Sequence, residues 1–290
     1  MSAPTATAAP ASVAGWGPLE TALRAARGTG RRLLMPFLTG GITPDWTETL
    51  LGYQRAGADA IEVGLPFSDP MLDGTTIQQA SDRALERGAT ADSIVAALAA
   101  IRPRMRVPLV VSTYANLALR PGFGTRLAAA GVAGLIVPDL PLEESGELEA
   151  DAAAAGVDLV LLVAPATTAD RLATIGERSR GFVYAVSVMG TTGERATLSV
   201  GAADLAARVR AVSDRPVLIG FGVSSPAQAA EAGRAGDGVV VGAALMRRVL
   251  DGATPADLAR QVTLLRAALD TASQEVPAGT AYAEVPGHRH

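Results

Sequence analysis

The chain has 290 residues, 49% of them apolar and only 4% aromatic, with a formal net charge of −4. That is enough for one large core or two small ones built of Ala, Val, Leu and Ile, and it argues against a nucleic-acid or anionic-membrane surface. There is no cysteine, the two histidines are His288 and His290, and all 25 basic residues are arginine. Disulfides, thiolate chemistry, a histidine base or metal site and Schiff-base lysines are thereby set aside, and acid–base work falls to Asp, Glu and Tyr.

Residues 1–15 are rich in Ala, Pro and Thr and lack the basic start of a secretory signal. This leader and the tail 273–290 are expected to be disordered. No run approaches the ~18 apolar residues of a membrane span, so a cytoplasmic protein is expected. A helix is predicted over 18–27, a strand over 33–38 and a helix over 44–56. The next strand, 59–63, carries Glu62 and leads into a Gly/Pro loop bearing Asp69 and Asp73, after which Thr75-Thr76 begin a helix. A helix over 91–102 precedes strands at 108–112 and 134–137, and a helix over 143–155 precedes strands at 158–163 and 181–186. The segment 187–201 is long, small and polar, and is expected to act as a lid. A helix over 202–212, strands at 216–220 and 238–241 and a helix over 255–270 complete the pattern.

A unit repeats along this order: a helix ending in Ala-Gly, a turn, four or five apolar residues, then a Gly/Pro loop. It begins at Arg55, Ala129, Ala154 and Arg234. The glycine suits a left-handed helix cap, and near-continuous apolar strands mark parallel sheet covered on both sides. Eight such βα units, with no break in composition over 16–272, predict an α/β chain. Its expected form is one (β/α)8 TIM barrel with an extra N-terminal helix.

In such a barrel chemistry sits at the carboxyl ends of the strands. If Ile61 and Val63 pack outward on helices, Glu62 points into the barrel, where a desolvated carboxyl has a raised pKa. A structural Glu bonded to backbone or to a tyrosine is the plainer alternative. Asp73, eleven residues on, is either the second member of an acid–base pair or a turn and capping residue. Asp139 reads as the acceptor of a loop-organising hydrogen bond. Gly220 to Pro226 and Gly242-Ala243-Ala244 lie after the seventh and eighth strands, where backbone N–H groups and a helix N-terminus can hold a phosphate.

Glu62 to Gln78 reads E-hydrophobic-G-x-PFSDP-x-x-DG-x-x-IQ. PFLT at 36–39, Tyr114-Ala115-Asn116, DLPLEES at 139–145, LLVAPATT at 161–168, FVYAVSVMGTTG at 182–193 and GFGVSSP at 220–226 accompany it. With these motifs the chain resembles the tryptophan synthase α-subunit family over nearly all of 16–272. The resemblance implies cleavage of indole-3-glycerol phosphate to indole and glyceraldehyde 3-phosphate, with Glu62 and Asp73 as the catalytic carboxylates. It implies an indole slot of Phe37, Ile77 and Tyr114, with Tyr184 bracing Glu62 and Thr192 closing toward Asp73. It places phosphate on Gly193, Gly222, Gly242 and Ala243. It implies no metal or organic cofactor in this chain, and a pyridoxal-phosphate β subunit as partner in an α2β2 assembly, docked partly on Pro66 to Pro70. The family usually has Ser at Ala243, Gly-Asp-Pro after the first strand where Gly40 to Pro44 stand, and Pro at Thr75. A stand-alone lyase releasing free indole and a non-catalytic activator of a β chain are the alternatives.

Overall fold

Short apolar runs flanked by Pro and Gly become eight parallel strands that pair in sequence order and close β8 onto β1. The structure is a computed structural model, and it describes residues 15–186, 200–220 and 222–274. In chain order the elements begin with α1 (Pro18–Gly28), β1 (Leu33–Thr39), α2 (Trp46–Arg55) and β2 (Ile61–Gly64). Next come α3 (Thr75–Glu86), α4 (Ala91–Ile101), β3 (Leu109–Ser112), α5 (Ala115–Ala118) and α6 (Phe123–Ala129). They continue with β4 (Val132–Ile136), α7 (Gly146–Ala155), β5 (Asp158–Val163), α8 (Ala169–Arg178) and β6 (Val183–Val186). Last are α9 (Val200–Arg210), β7 (Val217–Gly220), α10 (Pro226–Ala235), β8 (Gly238–Val241), α11 (Ala243–Leu250) and α12 (Pro255–Gln274). This is the (β/α)8 TIM barrel, and its extra first helix is α1.

Several boundaries differ from the expected ones for local reasons. The second strand starts at Ile61 because Asp59 is spent on a corner. Its N–H donates to the Leu34 carbonyl at 2.8 Å and its Oδ2 accepts from the Leu34 N–H at 2.8 Å. Pro108 and Pro216 precede β3 and β7 rather than opening them. Each offers only a carbonyl, which accepts from Ile61 N–H at 3.0 Å and from Val183 N–H at 2.8 Å. The last helix runs past the expected 270 to Gln274 because its apolar stripe continues through Leu269 to the fully buried Ala272.

The apolar interior divides in two. Ile61 and Val63 belong with the helix residues Ile94 and Leu98 in the shell between strands and helices. Met35, Ala60, Val110, Val160, Leu218 and Val240 fill the barrel itself. Strand alternation therefore turns Glu62 inward. The first helix closes the amino-terminal end of the barrel with Leu19 and Leu23, both fully buried. It is seated by charge as well: Glu20 N–H donates to Asp158 Oδ2 at 2.9 Å, and Arg24 Nε donates to Glu20 Oε1 at 2.8 Å. Burial pushes the Asp158 carboxyl up to about 6. With that end plugged, ligand access is left to the opposite mouth. Among the described residues no helix is long and apolar enough to cross a membrane.

Candidate active site

At the carboxyl end of the strands Phe37, Gly64, Asp73, Ile77, Ser112 and Tyr114 line one cleft. Glu62 lies one inward position below Gly64 and is 5% exposed. Two glycines make this mouth possible. A Cβ on Gly64 would stand 2.6 Å from the Phe37 ring, and one on Gly220 would stand 2.4 Å from the Tyr184 ring. Any larger residue would drive either ring out of its place.

Asp73 reaches the cleft from the loop between β2 and α3. The cap position of α3 is Gly74 and makes no side-chain cap bond, so the Asp73 carboxylate is not spent on the helix. Instead the Tyr114 hydroxyl donates to Asp73 Oδ2 at 3.2 Å and accepts from the Leu72 N–H at 3.3 Å. Phe67 stacks on the Tyr114 ring with centroids 4.8 Å apart. Tyr114, expected only as a wall of the cleft, is thus also the clasp that holds the loop and its carboxylate. Asp139 does what its position suggests: its Oδ1 accepts the Ala115 N–H at 2.8 Å and steadies the start of α5.

The electrostatics follow from burial. Desolvation pushes the Glu62 carboxyl up to about 7, helped by the Asp73 charge and opposed by a hydrogen bond with Ser112. Asp73 is raised in turn by burial and lowered by its Tyr114 bond. Tyr184 is pushed well above its ordinary value by burial and by the charges of Glu62 and Asp73. These couplings bring Glu62, Asp73 and Tyr184 into one electrostatic neighbourhood. Ser112, a residue the sequence reading passed over, is the hydroxyl that draws the Glu62 carboxyl down, while Tyr184 stands near enough to feel the Glu62 charge. A carboxyl poised near neutrality beside a second, ionised one can both donate and accept a proton at physiological pH.

On the same mouth Gly222 adopts a left-handed φ of +50° just ahead of α10. Gly242 caps α11 and lies against Phe37, a Cβ there standing 3.6 Å from the Phe37 Cβ. Helix geometry leaves the N–H groups of Ala243 and Ala244 without intrahelical acceptors, the arrangement that binds anions. Thr192 and Gly193 lie outside the described residues.

A parallel barrel with its amino-terminal end plugged, a buried and a half-buried carboxyl at its open mouth and glycine loops after β7 and β8 is the build of a (β/α)8 lyase or isomerase. The family model described as tryptophan synthase alpha chain matches residues 23–274, and the chain belongs to that family. The tryptophan synthase alpha chain of Synechococcus elongatus is 47% identical over 232 residues, which are 78% of this chain and 87% of the relative. That of Gloeobacter violaceus is 45% identical over 250 residues, 84% of this chain and 90% of the relative. Among solved structures, Mycobacterium tuberculosis tryptophan synthase superposes with a TM-score of 0.81 at 40% identity, covering 88% of this chain and 99% of that one.

Proposed function

We propose that this chain cleaves indole-3-glycerol phosphate to indole and glyceraldehyde 3-phosphate, with Glu62 and Asp73 carrying the protons. The observation that carries the proposal is Glu62. A carboxyl turned into the barrel, almost wholly buried and held near neutrality beside Asp73, has no structural use that an apolar residue would not serve better.

The protonated Glu62 gives its proton to ring carbon 3 of the indole while Asp73 takes the proton from the ring nitrogen. The ring is then a non-aromatic imine and a competent electron sink. Glu62, now a carboxylate, removes the proton of the hydroxyl on the adjoining side-chain carbon. The carbonyl of the aldehyde forms, the carbon–carbon bond breaks into the ring, and Asp73 returns the nitrogen proton. Each carboxyl ends as it began, and no other reactant is consumed. Phe37 and Ile77 flank the ring, while Gly222 and the Gly242-Ala243 helix start hold the phosphate with backbone N–H groups. Ala243 offers its N–H but no side-chain hydroxyl.

A β subunit carrying pyridoxal phosphate is the partner in this proposal, assembled as α2β2 in the cytoplasm and taking indole directly from the α site. Exposed Met71 (86%) and Leu72 (58%) beside Asp73 support a docking role for this loop, since apolar side chains gain from being covered. Indole release is measured with the chain alone and with a β subunit. Slow turnover alone and a large rise with the partner are expected. A fast solo rate without β binding would favour the stand-alone lyase, and no indole in either case would overturn the lyase assignment.

Two further outcomes are expected. The pH–rate profile is bell-shaped: activity needs Asp73 ionised and Glu62 protonated on entry, so it falls at acid pH and again as pH rises through about 7. A flat profile between pH 6 and 9 would contradict the assignment of Glu62. Tyr114→Phe removes the bond to Asp73 and the tie to Leu72, so kcat is expected to fall about tenfold, the size of one charged hydrogen bond. The acid limb should move to higher pH, because the lost bond favoured the carboxylate. An unchanged kcat and limb would show that Tyr114 is only a wall.

A further inference from the structure

The strand register places Gly64 opposite Ser112 and Glu62 opposite Val110. Val110 sits inside the barrel, so two residues on Ser112 faces the same way at the mouth, diagonally above Glu62. A Cβ built on Gly64 would stand 3.7 Å from Ser112 Oγ, which places the hydroxyl beside the Gly64 backbone at the mouth. The residues paired with Glu62 in register, Phe37 and Val110, are apolar and offer the carboxyl nothing. Glu62 Oε2 is buried with no hydrogen-bond partner. The register thus brings the Ser112 hydroxyl to the side of a carboxyl that has an unclaimed oxygen.

We propose that Ser112 is a positioning residue for Glu62, its hydroxyl fixing one carboxyl oxygen so that the other is presented to the reacting atoms. This rests on Glu62 being the proton carrier and adds what aims it. A glutamate has three side-chain torsions, and a catalytic group must be held within ~0.5 Å of its working position. A serine hydroxyl suits the task because it can donate both to a carboxylate oxygen and, more weakly, to the carbonyl oxygen of the acid form. The tether thus survives the proton exchange on the other oxygen. It also favours the charged form, and so keeps burial from lifting the carboxyl further above neutrality.

The test is the pH dependence of kcat and KM for indole release by Ser112→Ala, Ser112→Thr and Glu62→Gln in the complex with a β subunit. Ser112→Ala is expected to lose about tenfold in kcat with little change in KM. Its basic limb should shift to higher pH, because the bond that favoured the carboxylate is gone. Ser112→Thr keeps the hydroxyl on a β-branched residue suited to a strand, and is expected to restore both rate and limb. Should Ser112→Ala fail to fold, Ser112→Cys keeps the volume with only a weak donor, and the same limb shift is expected of it. A wild-type kcat and limb in Ser112→Ala would overturn the inference. So would a loss of rate with an unshifted limb that Ser112→Thr does not repair, which would mark a packing role. If Glu62→Gln releases indole as fast as wild type, the underlying assignment of Glu62 fails. If it is inert while Ser112→Ala is normal, only the role of Ser112 fails.

Discussion

Glu62→Gln is expected to lower kcat for indole release by about 10³-fold or more, with the chain still folded and KM little changed. The size follows from the number of protons that pass through one group. In the proposed cycle Glu62 donates to carbon and then accepts from oxygen, so its removal costs both transfers. A single positioned acid or base contributes about 10²–10⁴-fold. Glutamine matches the volume and keeps an oxygen for Ser112, so the change isolates proton exchange from shape. Asp73→Asn should cost less, about 10²-fold, because Asp73 borrows and returns one proton at a more acidic nitrogen site. The measurement is single-turnover cleavage in the assembled complex, which separates chemistry from product release. A Glu62→Gln variant within tenfold of wild type would remove Glu62 from the reaction and leave its burial unexplained.

How far the sequence discloses this site varies from residue to residue. The barrel is legible because parallel strands buried on both faces are written as nearly unbroken apolar runs, as in Asp158–Val163, between helices that end in Gly. The inward turn of Glu62 follows from the alternation of Ile61 and Val63, which needs no knowledge of the partner strands. Asp73 is half legible. Its place in a Gly/Pro loop suits a turn as well as a site, and the hydroxyl that decides the matter comes from Tyr114, 41 residues away. Ser112 is not legible at all. A serine closing the run Leu109-Val110-Val111 reads as a strand end, and only its register beside Gly64 gives it a partner. The pairs α5 and α6 escape notice for a similar reason: α5 is four residues long, too short for a periodicity to emerge, and the Pro121-Gly122 turn separates it from α6. What local pattern sets can be read from the chain, and what a distant partner sets cannot.

The same glutamate sets the second large effect, on stability, and with the opposite sign. In the unfolded chain Glu62 titrates near its ordinary value of 4.5, and in the folded chain near 7. Below 4.5 it is protonated in both states and costs nothing. Between 4.5 and 7 the unfolded chain ionises while the folded one does not, so stability falls by about 1.4 kcal/mol for each pH unit. Above 7 both states are ionised and the loss is complete, at about 3 kcal/mol. Glutamine carries no such penalty, and it also relieves Asp73 of a neighbouring charge. The stability of Glu62→Gln relative to wild type is therefore expected to rise by about 2–3 kcal/mol between pH 5 and pH 8. Any fixed cost of burying the amide cancels in that difference, so the pH dependence and not the absolute value carries the test. Urea denaturation of the two proteins at both pH values supplies it, with equal slopes required for the comparison. A gap that stays constant from pH 5 to pH 8 would mean that Glu62 ionises in the folded chain as freely as in water, and would remove the poised carboxyl on which the chemistry depends. A widening gap in a variant that has lost its activity would show the barrel surrendering stability to keep an acid where an amide would hold it better.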